Sequence, residues 1–420
     1  MSKIRFFNAK ILTMKDREIT DGELWTDGKK ITYVGPSKNT DIAFDREIDC
    51  GGDLLMPGLK NAHTHTAMTF GRSLADNASL DDWLHNHIFP IEAKLTGDNI
   101  YWFSQLGYAE YLANGITACF DMYLKPVDQA KAAVDAGFRH VFCGAVNDYG
   151  GIDTLEDEYN EYNNYNELVS YMLGLHAEYT TSVSIMEKIS EISHRYEAPV
   201  FAHISETKNE VDGCFERHGM SPVKLFNKLG LYDFGGGGFH CVWFDDEDLD
   251  IYKEKGLSAA FNCCSNLKLA SGAARVDKFI SRGINIAVGT DGAASNNALN
   301  MFREMFLLST LPNLYVEGGA FVDPYEILKA GTVGGARMMG LKDSDVLAEG
   351  KQADIIRLDM NHPTMRPVNN TVANIVYSGH PGIVKMTMIA GKVLYENGEY
   401  STIDIDKVID TTDKMMDQLK

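Results

Sequence analysis

No Cys-x-x-Cys pair occurs among the seven cysteines of this chain, which removes zinc ribbons and thioredoxin-type redox sites. The cysteines are odd in number and sit mostly in apolar segments such as TACFDM, GFHCVWF and AFNCCSN. That is the texture of buried thiols in a reducing compartment, so a cytoplasmic location is expected and the sequon at Asn369 is irrelevant. No run approaches 18 apolar residues, so no membrane-spanning helix is expected. The opening residues MSKIRFFNAKILTMKD lack the apolar stretch and cleavage site of a secretory signal. Basic charge is short as well: 39 Lys and Arg face 59 Asp and Glu, a formal charge of −20. That balance argues against nucleic acid or an anionic membrane as a partner, since both need a basic face.

What is present is ordinary globular composition, 45% hydrophobic and 23% charged over 420 residues, enough to bury a large core without disulfides. Both ends of the chain look alike. The N-terminal IRFFNAKILTMKDREITDGELWTDGKKITYVG and the C-terminal IVKMTMIAGKVLYENGEY read as short strands divided by turns, with Asp27-Gly28 and Asn397-Gly398 as hairpin signals. Few helical signals accompany them. This suggests one small β-sandwich domain built from residues 1–56 and 346–420.

Residues 57–345 have a different rhythm. Eight short apolar segments end at LLMPGLKNAH, GITACFDMY, HVFCGAVND, YMLGLHA, PVFAHIS, GGFHCVWF, LSAAFNCC and INIAVGTD. Stretches with helical spacing, such as DQAKAAVDAGF and VDKFISRG, lie between them and stop at Gly. Eight βα units with fully apolar strands point to an α/β fold, a (β/α)8 TIM barrel. A long excursion separates the first two strands over the barrel mouth. The Gly235–Gly238 run reads as a flexible lead-in to a strand and fits no phosphate-loop motif.

Polar residues gather at the C-terminal ends of these strands. His63 and His65 close the first, and residues i and i+2 of an extended segment share a face. His203 closes the fifth, with Glu206 three residues on; His240 closes the sixth and Asp291 the eighth. Singly, each has a plain structural reading: a core histidine, a chance His-Thr-His, an Asp-Gly turn. Together, at the catalytic face of one barrel, they make a mononuclear metal site.

The segments PGLKNAHTH, DDWLHNHIFPIEAKLT, LGLHAEYTTS, HISET, HCVW, SNLKLASG and GTDGAASNN carry a resemblance. The chain resembles the amidohydrolase superfamily in its metal-dependent aminohydrolase branch, and is most similar in pattern to 5′-methylthioadenosine/S-adenosylhomocysteine deaminases. The resemblance implies that His63, His65, His203 and Asp291 hold one divalent ion, usually Zn2+, with Fe2+ or Mn2+ as alternatives. The ion would bring the pKa of a water to about 7. Asp291 would take the proton of that water and His240 would orient it. Glu206 would protonate a ring nitrogen and then help ammonia leave. Members with two metals use a lysine on the fourth strand, where this chain reads YMLGLHA, so one metal is expected. Glu92 matches a glutamate that bonds ribose hydroxyls, His176 matches a histidine that contacts the purine, and Trp83 is a candidate pocket wall. Glu92 also reads as a helix-face charge, His176 as a strand terminus and Trp83 as core. Such relatives commonly form dimers or tetramers, which makes a homo-oligomer the expectation.

The pattern departs in two places. Deaminases that accept S-adenosylhomocysteine use two arginines after the third strand to grip its carboxylate. Here no Arg or Lys occurs from His140 through Glu187, while Asp148, Asp153, Glu156, Asp157, Glu158 and Glu161 do. Tyr149, Tyr159, Tyr162 and Tyr165 in this stretch would either stack on a ring or pack a loop. The second departure is FNCCSN, where relatives more often carry His-Asn-Pro. The expected substrate is therefore a neutral or cationic amino-heterocycle, best a neutral adenosine-type nucleoside: 5′-methylthioadenosine, adenosine or 5′-deoxyadenosine. The alternatives are another ring (guanine, pterin, cytosine-like, triazine or a cyclic amide) and a non-catalytic assembly protein on the same scaffold.

Overall fold

The computed structural model describes residues 2–76 and 82–419. The eight apolar segments of the middle region form one parallel sheet in chain order. Its strands are β1 (Leu59–Thr64), β2 (Ile116–Asp121), β3 (Arg139–Cys143), β4 (Val169–Ala177), β5 (Val200–Ile204), β6 (Gly236–His240), β7 (Ser258–Phe261) and β8 (Asn285–Val288). Just past β8, the N–H groups of Thr290 and Asp291 donate to the carbonyl of His63 at 3.1 and 3.0 Å. Asn61 and Thr290 exchange two further bonds, at 2.7 and 2.9 Å. These contacts close the sheet into a barrel and fix the first and last strand ends beside each other.

Inside, Ala62, Ala118, Phe120, Val141, Phe201, Phe239, Ala260 and Ala287 form one buried cluster. Small residues face aromatic ones, so the narrow interior is filled by interdigitation and is not a pore. The helix-facing residues of the same strands join the main core, Cys119 of β2 with Tyr108 and Phe138, for instance.

Strand β6 corrects the reading of its glycines. Gly236, Gly237 and Gly238 are not a lead-in; they are the strand. A Cβ at Gly237 would sit 1.9 Å from the Ser258 carbonyl oxygen, and one at Gly238 would sit 2.1 Å from Ile204 Cγ2. Glycine lets β5 and β7 pack that closely against β6, and Gly236 also has φ 114°, where side chains are strained.

The two chain ends build the expected β-rich unit as one mixed nine-stranded sheet. Its two halves are joined where Ile355–Leu358 runs antiparallel to Leu54–Pro57. Hairpins occur at both expected turns, pairing Asp27 with Lys30 and Glu396 with Glu399. Phe6, Ile11, Leu24, Ile31, Leu55, Ile355 and Met388 pack into a single core on this open sheet. Arg139, at the start of β3, ties this unit to the barrel through a two-pronged contact with Asp354 at 2.8 and 3.1 Å. The C-terminal region also ends in a helix, Ile405–Leu419. Its Met415 and Leu419 pack with Trp83, Ile100 and Phe103.

Candidate active site

The imidazoles of His63, His65, His203 and His240 meet at the C-terminal mouth of the barrel. The ring of His63 lies 4.9 Å from His65, 4.8 Å from His203 and 5.3 Å from His240, centroid to centroid. Phe239 stacks flat on His63 at 4.0 Å and holds it in place. Asp291 enters from beyond β8, its Oδ1 3.1 Å from His65 Nε2 and 3.6 Å from His63 Nε2. Asp291 has φ 59°, a left-handed conformation that Asp tolerates better than most residues, and its N–H is anchored on the His63 carbonyl.

Proton positions follow from the neighbours. His65 Nδ1 lies 2.5 Å from the carbonyl oxygen of Met122, and His203 Nδ1 lies 2.7 Å from that of His176. A carbonyl only accepts, so each Nδ1 donates and each Nε2 offers its lone pair to the centre. Both ring nitrogens of His63 are buried with no hydrogen-bond partner among the described residues. An orphaned buried imidazole is costly unless something else satisfies it.

Charge is arranged to match. Burial, together with the neighbouring imidazoles, lowers His63 and His203 well below their ordinary pKa, so both are neutral. Burial alone would raise Asp291, but His65 and the other histidines outweigh it and hold the carboxyl ionised. In the absence of an ion, Asp291 outweighs burial at His65 too and carries that imidazole up to about 9. An ion bound beside Asp291 would displace that His65 proton. The ligand atoms fall into two triads that share His63: His63, His65 and Asp291, and His63, His203 and His240. Nitrogens with one carboxylate suit a divalent ion of the zinc type.

Glu206 lies beside this group, with its Oε2 3.7 Å from His240 Nε2. Ser271 Oγ donates to its Oε1 at 3.1 Å, and Asn266 Nδ2 reaches the same oxygen at 3.4 Å. With both donors on Oε1, an exchangeable proton belongs on Oε2. Burial raises the Glu206 pKa, and nearby His240 only partly opposes this. The backbone at this corner is clamped by Glu210, whose two side-chain oxygens accept the N–H groups of Ser205 and Glu206 at 2.7 and 2.8 Å.

On the substrate side, Glu92 ends a short helix, Phe89–Glu92, and accepts the Tyr123 hydroxyl at 2.7 Å. The Tyr123 ring is 6.1 Å from His65, which links Glu92 to the histidine group. His176 on β4 lies 5.0 Å from His203. Burial, with His65 and His240 nearby, lowers it to about 4. Trp83 is packed in a buried cluster with Met68, Phe70 and Leu269; its contacts there are apolar.

In the stretch after β3, Tyr162 is 1% exposed and packs at 5.3 Å on Phe142. Tyr159 packs on Tyr196 at 5.1 Å, and Tyr165 lies 6.0 Å from Tyr162. These three tyrosines pack the helix Leu155–Tyr162 and its surroundings. Tyr149 stands 95% exposed. Cations from other elements do meet this stretch, and each is engaged by an acid of it: Arg195 by Glu156, Lys29 by Glu167 and Arg217 by the buried Glu178.

A family model for the amidohydrolase family matches residues 54–394. The chain belongs to the amidohydrolase family. A 5-methylthioadenosine/S-adenosylhomocysteine deaminase of Thermoanaerobacter pseudethanolicus is 36% identical to it over 419 residues, 97% of each chain. One of Desulfitobacterium hafniense is 35% identical, covering 99% of this chain and 98% of the relative. Among solved structures, an adenosine deaminase from Xanthomonas campestris with bound zinc superposes with a TM-score of 0.93 at 27% identity, covering 99% and 98% of the two chains. Atrazine chlorohydrolase of Arthrobacter aurescens, with zinc, shares the fold at a TM-score of 0.89 and 21% identity, covering 98% of this chain and 100% of that one.

Several members of this amidohydrolase site escaped the sequence reading: Tyr123, Glu210, Ser265, Asn266, Ser271 and Ser295. Ser265 and Ser295 both donate to Asp291 Oδ2, at 2.6 and 2.8 Å. A further buried group, Cys119, Asp121 and His140, also brings its ligand-type atoms close together. Asp121 accepts the N–H of Thr66 at 2.8 Å and so braces the chain next to His65.

Proposed function

We propose that this amidohydrolase is a metal-dependent hydrolytic deaminase of a neutral adenosine-type nucleoside, with 5′-methylthioadenosine, adenosine and 5′-deoxyadenosine as candidate substrates. The observation that carries the reading is one buried cluster containing unpartnered His63 nitrogens, an ionised Asp291 and a Glu206 whose pKa is raised by burial. His63, His65, His203 and Asp291 would hold the ion, for which zinc is the proposal because the adenosine deaminase of like fold was solved with it. When bound, such an ion acidifies water so that hydroxide is available near neutral pH.

The remaining steps belong to side chains. Asp291 takes a proton from the attacking water through Oδ1, while the two serines occupy Oδ2. His240 donates to that water and aims it. Glu206, its pKa raised by burial, gives its Oε2 proton to a ring nitrogen and makes the adjacent amino-bearing carbon more electrophilic. Water adds to that carbon, a proton passes to the amine, and the C–N bond breaks. Ammonia leaves and an oxo group takes its place. Glu92 would receive ribose hydroxyls, and His176, neutral at working pH, would face the ring. The acidic, arginine-free stretch from His140 to Glu187 favours an uncharged 5′ substituent over one ending in a carboxylate.

The direct test is Glu206→Gln. The variant should keep its metal and lose at least about 100-fold in kcat, the usual worth of a positioned acid. Full activity with metal bound would contradict the proton route.

A further inference from the structure

His240 differs from the other histidines at the mouth in what its Nδ1 meets. At His65 and His203 that nitrogen faces a carbonyl and must donate. At His240 it faces the side-chain amide of Asn266, 2.8 Å away. An amide can offer either nitrogen or oxygen, and Glu206 decides which. The same amide atom lies 3.4 Å from Glu206 Oε1, which already accepts the Ser271 hydroxyl. An amide oxygen there would confront a second acceptor, whereas Nδ2 donates to both neighbours. His240 Nδ1 is then an acceptor and its proton sits on Nε2.

The tautomer decides whether His240 can bind the metal. Nitrogens of His63, His203 and His240 lie within 4.8 Å of one another, so position alone would let His240 join the ligand set. A neutral imidazole protonated on Nε2 has no lone pair to give there. We propose that Asn266 is a positioning residue that fixes His240 as its Nε2–H tautomer, keeping it a hydrogen-bond donor to the reacting water and out of the metal's ligand set. The proposal rests on the reading of His240 as the group that orients water. Asn266 can hold this orientation because it is 3% exposed and fixed in the helix Cys263–Lys268, which follows β7. It also couples two groups that must act together, since one amide nitrogen serves His240 and Glu206.

The test is Asn266→Asp, which keeps the shape and replaces the donor with an acceptor, alongside Asn266→Ala. Histidine 15N NMR of the zinc-loaded full chain, with the His240 signals identified by their loss in His240→Gln, reads the tautomer without reference to turnover. Wild type should show a bare Nδ1 and a protonated Nε2, and Asn266→Asp should move the proton to Nδ1. In the cobalt-loaded protein, the same substitution should change the visible spectrum toward higher coordination as Nε2 becomes a ligand. Its kcat should fall about 100-fold with bound metal retained and KM little changed. A protonated Nδ1 in wild type, or a His240 tautomer unaltered in both variants, would overturn the proposal. Because the tautomer is read spectroscopically, absence of deaminase activity in the wild type would defeat the functional reading and leave this result standing.

Discussion

Asp291 is ionised though buried, and that depends on which of its oxygens each neighbour takes. Oδ2 is saturated by Ser265 and Ser295, which leaves Oδ1 directed at His63 and His65. Removing both hydroxyls (Ser265→Ala with Ser295→Ala) should weaken metal retention about 10- to 100-fold, the usual cost of losing supports behind a ligand. Competition with a chelator measures this, and unchanged retention would show that the serines are bystanders. The raised Glu206 pKa gives a pH prediction. A proton donor works only while protonated, so kcat/KM should fall as pH rises past the Glu206 pKa, and that alkaline limb should be absent in the residual activity of Glu206→Gln. At this scale the histidines, Glu206 and Asp291 were legible because strand-end position and the i, i+2 rule expose them. Asn266 was not. Its partners are 60 and 26 positions away in sequence, and in SNLKLASG it looks like any loop amide.

The strands and loops place these groups, and β6 shows how tightly. Gly237→Ala would drive a Cβ into the Ser258 carbonyl, 1.9 Å away, and separate β6 from β7 just below His240. Such a change should cost about 3 kcal/mol or more, the range of backbone and overpacking defects, as measured by chemical unfolding. Native stability in this variant would mean that the strands relax freely. Glycine is depleted in strands, which is why the run read as a lead-in. The C-terminal helix was missed for a different reason. Its apolar positions Ile405, Val408, Met415 and Leu419 follow helical spacing with polar residues on the opposite face, but the strand texture just before it makes the whole C-terminal stretch read as β. Val408 and Ile405 pack on the main core, and Met415 and Leu419 pack against the residues around Trp83. The barrel, by contrast, announces itself through eight short apolar runs with turn signals between them.

For the whole molecule, several carboxylates are folded into places that resist ionisation. Burial raises Glu210 to about 8 and Glu304 to about 7, from the ordinary 4.5. Both therefore hold protons in the native state that the unfolded chain releases at lower pH. Their stabilising contribution is complete below pH 4.5 and is lost as pH rises through 7 and 8. Thermal stability should thus fall as pH rises from about 5 to about 8 and level off above that, and Glu210→Gln should flatten that slope; an identical slope would assign the effect elsewhere. The charge of −20 says nothing of the fold, but the missing cations between His140 and Glu187 bear on the choice of substrate. The measurement that tests the central claim most directly is ammonia release by the zinc-loaded chain from 5′-methylthioadenosine, adenosine, 5′-deoxyadenosine and S-adenosylhomocysteine, with guanine and pterins alongside. Fast release from a neutral adenosine, with S-adenosylhomocysteine poor, is the predicted result. No ammonia from any adenine nucleoside, with the metal bound and the fold intact, would contradict the account.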